Sequence, residues 1–129
     1  MIYYKVCYFT PKHIYSYNFR PTLDHTKFGL SLEYKIGEWT YPIIPNSRLY
    51  CFKFIDDAYH FRNLNNTDNF VYKCEVKNPA RLIKYIGSVA DPEKAVKFWK
   101  SKKNKEHCIW ENIPQGTYTA SAIKLIERV

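Results

Sequence analysis

Residues 47–77 read SRLYCFKFIDDAYHFRNLNNTDNFVYKCEVK, and the alternation inside them decides the fold class. Over 47–54, Leu49 and Cys51 fall on one face and Tyr50, Phe52 and Phe54 on the other. Period two in an aromatic-rich run is the pattern of a strand packed on at least one side. Asp56 or Asp57 then supplies a helix cap, because a carboxylate there accepts bonds from free backbone N–H groups and suits the helix dipole. Ala58 and Phe61 lie three apart and so share the helix face turned to a sheet. The run from Asn63 to Asn69 ends the helix, since Asn and Asp side chains compete for backbone hydrogen bonds and favour turns. A second strand follows, with Phe70, Tyr72, Cys74 and Val76 on one face and Val71, Lys73 and Glu75 on the other. Strand, short helix, strand makes the core of an α+β domain.

Upstream, Ile2–Phe9 alternates as a first strand, with Ile2, Tyr4, Val6 and Tyr8 on one side. Pro11 interrupts it, and residues 13–19 form a second strand or an extended loop. Residues 20–29 are polar and turn-prone, and they place Arg20, His25 and Lys27 in a loop of the kind that often carries function. Residues 31–36 alternate until Gly37, and Pro42 and Pro45 punctuate an extended segment. Downstream, 81–86 reads as another strand. Asp91 at the cap, Pro92 at the first helical position and Glu93 in the first turn start a second helix. Ala95, Val96, Phe98 and Trp99 form its apolar face. Lys94, Lys97, Lys100, Lys102, Lys103 and Lys105 crowd the opposite side and the exit, where the dipole favours cations. Residues 118–126 close the chain as a last strand or strand pair. The intervals between strands lack the regular helices that parallel crossovers need. The expectation is a single α+β domain over residues 1–129, compact, with about six mostly antiparallel strands and two short helices.

A chain of 129 residues with 18% aromatics is large enough for a hydrophobic core and unlike a disordered segment. No apolar run approaches the ~20 residues of a membrane-spanning helix. The opening residues enter strand-like alternation without a signal-peptide pattern, so the expected location is intracellular, in the cytoplasm (the host cytoplasm for a viral protein). Cys7, Cys51, Cys74 and Cys108 are widely spaced, with no C-x-x-C pair, which points to buried free thiols and no metal site. His13, His25, His60 and His107 are scattered. Neighbouring side chains on a strand point apart, so His107 and Cys108 cannot pair as base and nucleophile. With four glycines there is no Gly-rich phosphate loop. Spacing assigns no catalytic residue and no cofactor.

The charge is more informative. Lys and Arg number 20 against 12 acidic residues, a formal charge of +8, with a pI near 9.3. That balance favours an anionic partner: nucleic acid, a nucleotide, or an acidic protein surface. Lysines neutralise phosphates and aromatic rings stack on unpaired bases. The expected binding surface is therefore Lys94, Lys97, Lys100, Lys102, Lys103 and Lys105 around Trp99, joined by Arg20 and Lys27. Large aromatic and Arg side chains would also serve to anchor a small basic effector on an acidic host or defence protein.

The order of elements also resembles a known core. LYCF at 49–52, the helix with Ala58 near its start and FVYKCEV at 70–76 resemble ADP-ribosyltransferase-like domains. There a G-x-Y-F strand precedes a helix carrying E-x-A and a strand of the V-Y-x-V-x-V kind. With EYKIGEW at 33–39 and IPQGTYTASAIKLIERV at 113–129, the chain as a whole is similar to small uncharacterised proteins of phages, large DNA viruses and other mobile elements. The first resemblance implies NAD⁺ held in a cleft between two sheets. His13 would hold the cofactor, Tyr50 and Phe52 would stack on nicotinamide, and Glu111 or Glu75 would stabilise an oxocarbenium-like state. The chain departs from that pattern in having Tyr8-Phe9-Thr10 where a His-x-Thr belongs and Gln115 where an acid belongs. The resulting expectation is a small basic accessory protein of viral or mobile-element type that binds nucleic acid or an acidic host protein. The alternative is an NAD-dependent ADP-ribosyltransferase-like enzyme or its inactive nucleotide-binding relative.

Overall fold

The computed structural model describes residues 1–9, 14–16, 32–44, 47–65, 69–81 and 116–129. They form β1 (Ile2–Phe9), β2 (Ile14–Ser16), β3 (Glu33–Tyr34), β4 (Trp39–Thr40), β5 (Leu49–Phe52), α1 (Ile55–Asn65), β6 (Asn69–Lys77), β7 (Ala80–Arg81), β8 (Thr117–Ala120) and β9 (Ala122–Arg128). One sheet joins these nine strands in the order β4-β9-β6-β1-β5-β8-β7, with β2 added to β1 and β3 to β2. Every pairing among the described residues is antiparallel. The α+β class and the pairing sense are as expected. β2 and β3 lie inside the segments 13–19 and 31–36 expected to be extended, and β7 meets the expected strand 81–86 at its first residue. The strands outnumber six because the two-residue β4 adds one, too short to show a period, and the closing segment is two strands, β8 and β9. One helix lies among the described residues; the second expected helix, with its lysines, lies outside them.

β1 is the centre of the sheet, and its two edges differ. One edge is paired with β6 along its length, from Ile2↔Glu75 to Tyr8↔Asn69. The other edge is shared: β5 meets it at Tyr4↔Phe52, and β2 takes over from Cys7↔Ser16 to Phe9↔Ile14. The sheet thus forks beside Lys5 and Val6.

Both faces of the centre are covered. Tyr3, Cys7, Leu49, Cys51, Tyr72, Cys74, Val76, Ile123 and Leu125 form the main core, joined by Tyr34 from β3. On the opposite face Val6, Phe52 and Val71 receive Ala58 of α1. The alternation in residues 47–54 and 70–76 therefore assigns the faces correctly, and Val71 is buried because the helix lies over it. Ala58 has no exposed surface, which leaves no room for a longer side chain between helix and sheet. Phe61 packs on Phe52 with ring centroids 5.4 Å apart. The helix begins at Ile55, so Asp56 and Asp57 lie inside its first turn instead of at the cap. There they still complement the dipole. At the other end the Arg62 Nε donates to the Asn69 carbonyl at 2.9 Å, tying α1 to the start of β6.

Two turns set the outer strands. Gly37 has φ +84 and donates its N–H to the Leu125 carbonyl at 2.8 Å, which brings β4 alongside β9. Asn78, at φ 49, turns the chain from β6 across the sheet end to β7. Asn tolerates this left-handed conformation better than most residues. Arg48 fastens the crossing, donating to Thr119 Oγ1 at 2.8 Å and to the Asn78 carbonyl.

Candidate nucleic-acid interface

Lys94, Lys97, Lys100, Lys102, Lys103, Lys105, Arg20 and Lys27 lie outside the described residues, as do His13 and Glu111. Tyr50 is described: it is half-buried on β5. Its carbonyl accepts a hydrogen bond from Lys5 Nζ at 2.6 Å. Phe52 is 5% exposed beneath α1, where it serves the core. Glu75 is on the open surface, 3.3 Å from Lys124 Nζ.

What the described strands do assemble is a basic and aromatic patch where β4, β9 and β6 run side by side. Register explains it. Trp39 is opposite Lys124, and Lys124 is opposite Glu75, so the three share a face. Thr40 is opposite Ile123, which points to the core. Lys77, two residues beyond Glu75, returns to the same face as Glu75. The Nζ atoms of Lys77 and Lys124 both lie over the Trp39 ring, 4.4 and 5.1 Å from its centroid. Lys77 also lies 5.2 Å from the Tyr41 ring and donates to its hydroxyl at 2.8 Å.

The electrostatics of this patch are those of a solvated surface. Lys77 is exposed, and the Lys124 and Glu75 side chains are 29% and 43% exposed. An exposed pair of that kind contributes about 0–1 kcal/mol; here Glu75 chiefly orients Lys124. The rings act similarly: a cation over an exposed aromatic face gains roughly 0.5–1 kcal/mol. Two long side chains are thereby held in place with their charges still facing water. Tyr41, 53% exposed, leaves much of its ring uncovered beside them. A surface with two held ammonium groups and an adjacent open ring can take a phosphate and stack a base.

A second cation has the opposite setting. Lys5, on the core face of β1, is 5% exposed. Besides its bond to Tyr50, its Nζ lies 5.1 Å from the Tyr34 ring. Burial pulls this ammonium down, while the Tyr34 phenol and then the Cys7, Cys51 and Cys74 thiols act in the other direction; the balance stands above the ordinary lysine value. Burial pushes the Cys7 and Cys51 thiols up to about 12, partly opposed by Lys5, and raises Cys74 as well. All three are free and buried, and at neutral pH they are inert thiols.

Among the described residues, no group of three His, Cys, Asp or Glu side chains is placed to hold a metal ion. No helix among them is long and apolar enough to cross a membrane. The W-x-Y spacing at 39–41 is a signal for two rings on one face. The lysines that join them come from β6 and β9, which only the register reveals. The chain matches no protein-family model, no curated protein and no solved structure.

Proposed function

We propose that the protein binds single-stranded nucleic acid through the β4–β9–β6 patch. Lys77 and Lys124 neutralise phosphates and Tyr41 stacks on an unpaired base beside Trp39. The observation that carries this reading is the convergence of two ammonium groups from different strands over one indole, next to a half-exposed phenol ring. Lysine is a point charge suited to phosphate, and it is depleted from the cores of protein interfaces. The patch therefore favours a nucleic-acid strand over an acidic protein. Open aromatic faces favour unpaired bases over a duplex, whose bases are already stacked. The net charge of +8 adds long-range attraction to any polyanion.

The test is fluorescence anisotropy of a labelled single-stranded oligonucleotide across a salt series. The K77E/K124E double variant should bind at least tenfold more weakly. Its log–log salt slope should fall by about 1.4, which is the counterion release of two single-strand phosphates at ~0.7 each. Binding unchanged in that variant, or absent from the unmodified protein at low salt, would sink the proposal. Binding of a labelled acidic peptide that the K77E/K124E variant loses, with no affinity for the oligonucleotide, would transfer the patch to a protein partner.

A further inference from the structure

Glu75 puts a negative charge in the middle of the cationic patch. Lys73, Glu75 and Lys77 alternate onto one face of β6. Across the sheet, Glu75 has Lys124 of β9 on one side and Ile2 of β1 on the other. Its carboxylate is 3.3 Å from Lys124 Nζ, the same ammonium that lies 5.1 Å from the Trp39 centroid. A single ammonium thus separates carboxylate from indole. Lys77, two residues along, reaches the Tyr41 ring and its hydroxyl. A base stacked on Tyr41 beside Trp39 has Glu75 as its neighbour across these lysines, and the Glu75 side chain is 43% exposed.

For phosphate binding alone this residue is the wrong choice. A carboxylate repels a phosphate and cancels one of the charges that attract it. Orienting Lys124 needs an acceptor, which a neutral Gln or Thr side chain would supply without that penalty. What the carboxylate adds is a pair of acceptor oxygens with no donor, able to hold two parallel N–H groups at once. Unpaired bases offer N–H groups on their Watson–Crick edges. Guanine presents two adjacent donors there, N1–H and N2–H₂. Adenine and cytosine present one amino group beside a ring-nitrogen acceptor, and thymine and uracil one N–H between two carbonyls. Those acceptors would face a carboxylate oxygen with like partial charge. Guanine alone matches it at both oxygens.

We propose that Glu75 is the specificity-determining residue of the patch and selects guanine. This rests on the single-strand reading above and adds to it which base is taken. Tyr41 stacks the base, Lys77 and Lys124 hold the flanking phosphates, and Glu75 accepts from N1–H and N2–H₂. Exposure to water limits the discrimination to about five- to tenfold, the lower end for a bidentate base contact.

The probes are labelled oligothymidylates of about six nucleotides carrying one internal guanine, 7-deazaguanine, inosine or adenine, titrated by anisotropy at one low salt concentration. The unmodified protein should bind the guanine and 7-deazaguanine oligomers about five- to tenfold more tightly than the adenine one. Inosine, which lacks the 2-amino group, should fall between. Glu75→Gln should bind all four alike, and plain oligothymidylate at least as tightly as the unmodified protein does. Lys77→Ala should weaken all four and keep the guanine preference. Binding without a guanine preference, or a preference that survives in Glu75→Gln, would overturn the inference and leave the single-strand reading standing. So would a preference lost with 7-deazaguanine, which assigns the contact to N7 and a lysine. Loss of oligothymidylate binding in Glu75→Gln would reduce the residue to a support for Lys124 and likewise overturn it. Absence of binding to every oligomer overturns both the inference and the reading it rests on.

Discussion

Lys5 and Lys77 lean on aromatic rings in the same way, Lys5 Nζ 5.1 Å from Tyr34 and Lys77 Nζ 4.4 Å from Trp39, in opposite solvents. Lys5 is 5% exposed, and Lys77 is open to water. Over Trp39 the contact is screened, each lysine gains about 0.5–1 kcal/mol, and its charge remains available to a partner. Over Tyr34 the low dielectric strengthens both the attraction and the penalty for leaving the charge unmatched. One geometry thus holds the fold together in the interior and presents charge at the surface. The comparison predicts that perturbing the interior changes stability, and perturbing the patch changes binding.

The largest expected effect is on alkaline stability. Cys7 and Cys51 rise from 9.0 to about 12 on folding, Cys74 also rises, and Lys5 rises above 10.5. A group raised in the folded state contributes stability that is complete below its unfolded pKa and is lost as pH climbs toward the folded value. Stability should therefore be level from about pH 6 to 8 and fall above about pH 9. Once the unfolded thiols ionise, each removes roughly 1.4 kcal/mol per pH unit. Guanidinium unfolding at pH 7, 9 and 10 measures this. A level profile through pH 10 would show that the thiols are not sealed in the core. Next in size is Lys5→Ala, which leaves a cavity and removes the ammonium bond to the Tyr50 carbonyl, for a loss of about 2–4 kcal/mol. Lys77→Ala should lose at most ~1 kcal/mol while weakening oligonucleotide binding. Equal stability losses in the two variants would show that the two lysines sit in equivalent surroundings.

The sequence shows these two regions unequally, for a physical reason. Alternation is a local property, so residues 47–54 and 70–76 disclose their strands, their two faces and the helix between them by residue order alone. Buried Cys7, Cys51 and Cys74 follow from the same periods. Pairing is not local. That β1 has β5 on part of one edge and β2 on the rest depends on residues tens of positions apart, so the burial of Lys5 has no sequence signature. The start of α1 is ambiguous by one or two residues in the sequence because two adjacent aspartates offer equivalent caps. The patch is half legible: Trp39 and Tyr41 stand two apart on an extended segment, whereas Lys77 and Lys124 reach them only through the register of β6 and β9. The lysines that composition singles out, at 94–105, lie outside the described residues, so their part in binding is a separate question from that of the patch.

Tyr41→Phe should have the smallest effect and separates the ring from its hydroxyl. The hydroxyl accepts from Lys77 Nζ at 2.8 Å, whereas the ring is the proposed stacking surface. Removing the hydroxyl releases one exposed hydrogen bond, a change of about 0.5–1 kcal/mol at most, and leaves Lys77 over Trp39. Oligonucleotide affinity should then stay within about threefold of the unmodified protein. Tyr41→Ala removes the stacking surface, at roughly 1–3 kcal/mol per base, and affinity should fall about five- to 150-fold. Anisotropy titrations of the two variants at one salt concentration provide the contrast. If Phe and Ala weaken binding equally, the ring does not stack, and Tyr41 acts only by steering Lys77. If neither changes it, the phosphate contacts of Lys77 and Lys124 carry the affinity alone, and the salt slope should account for all of it.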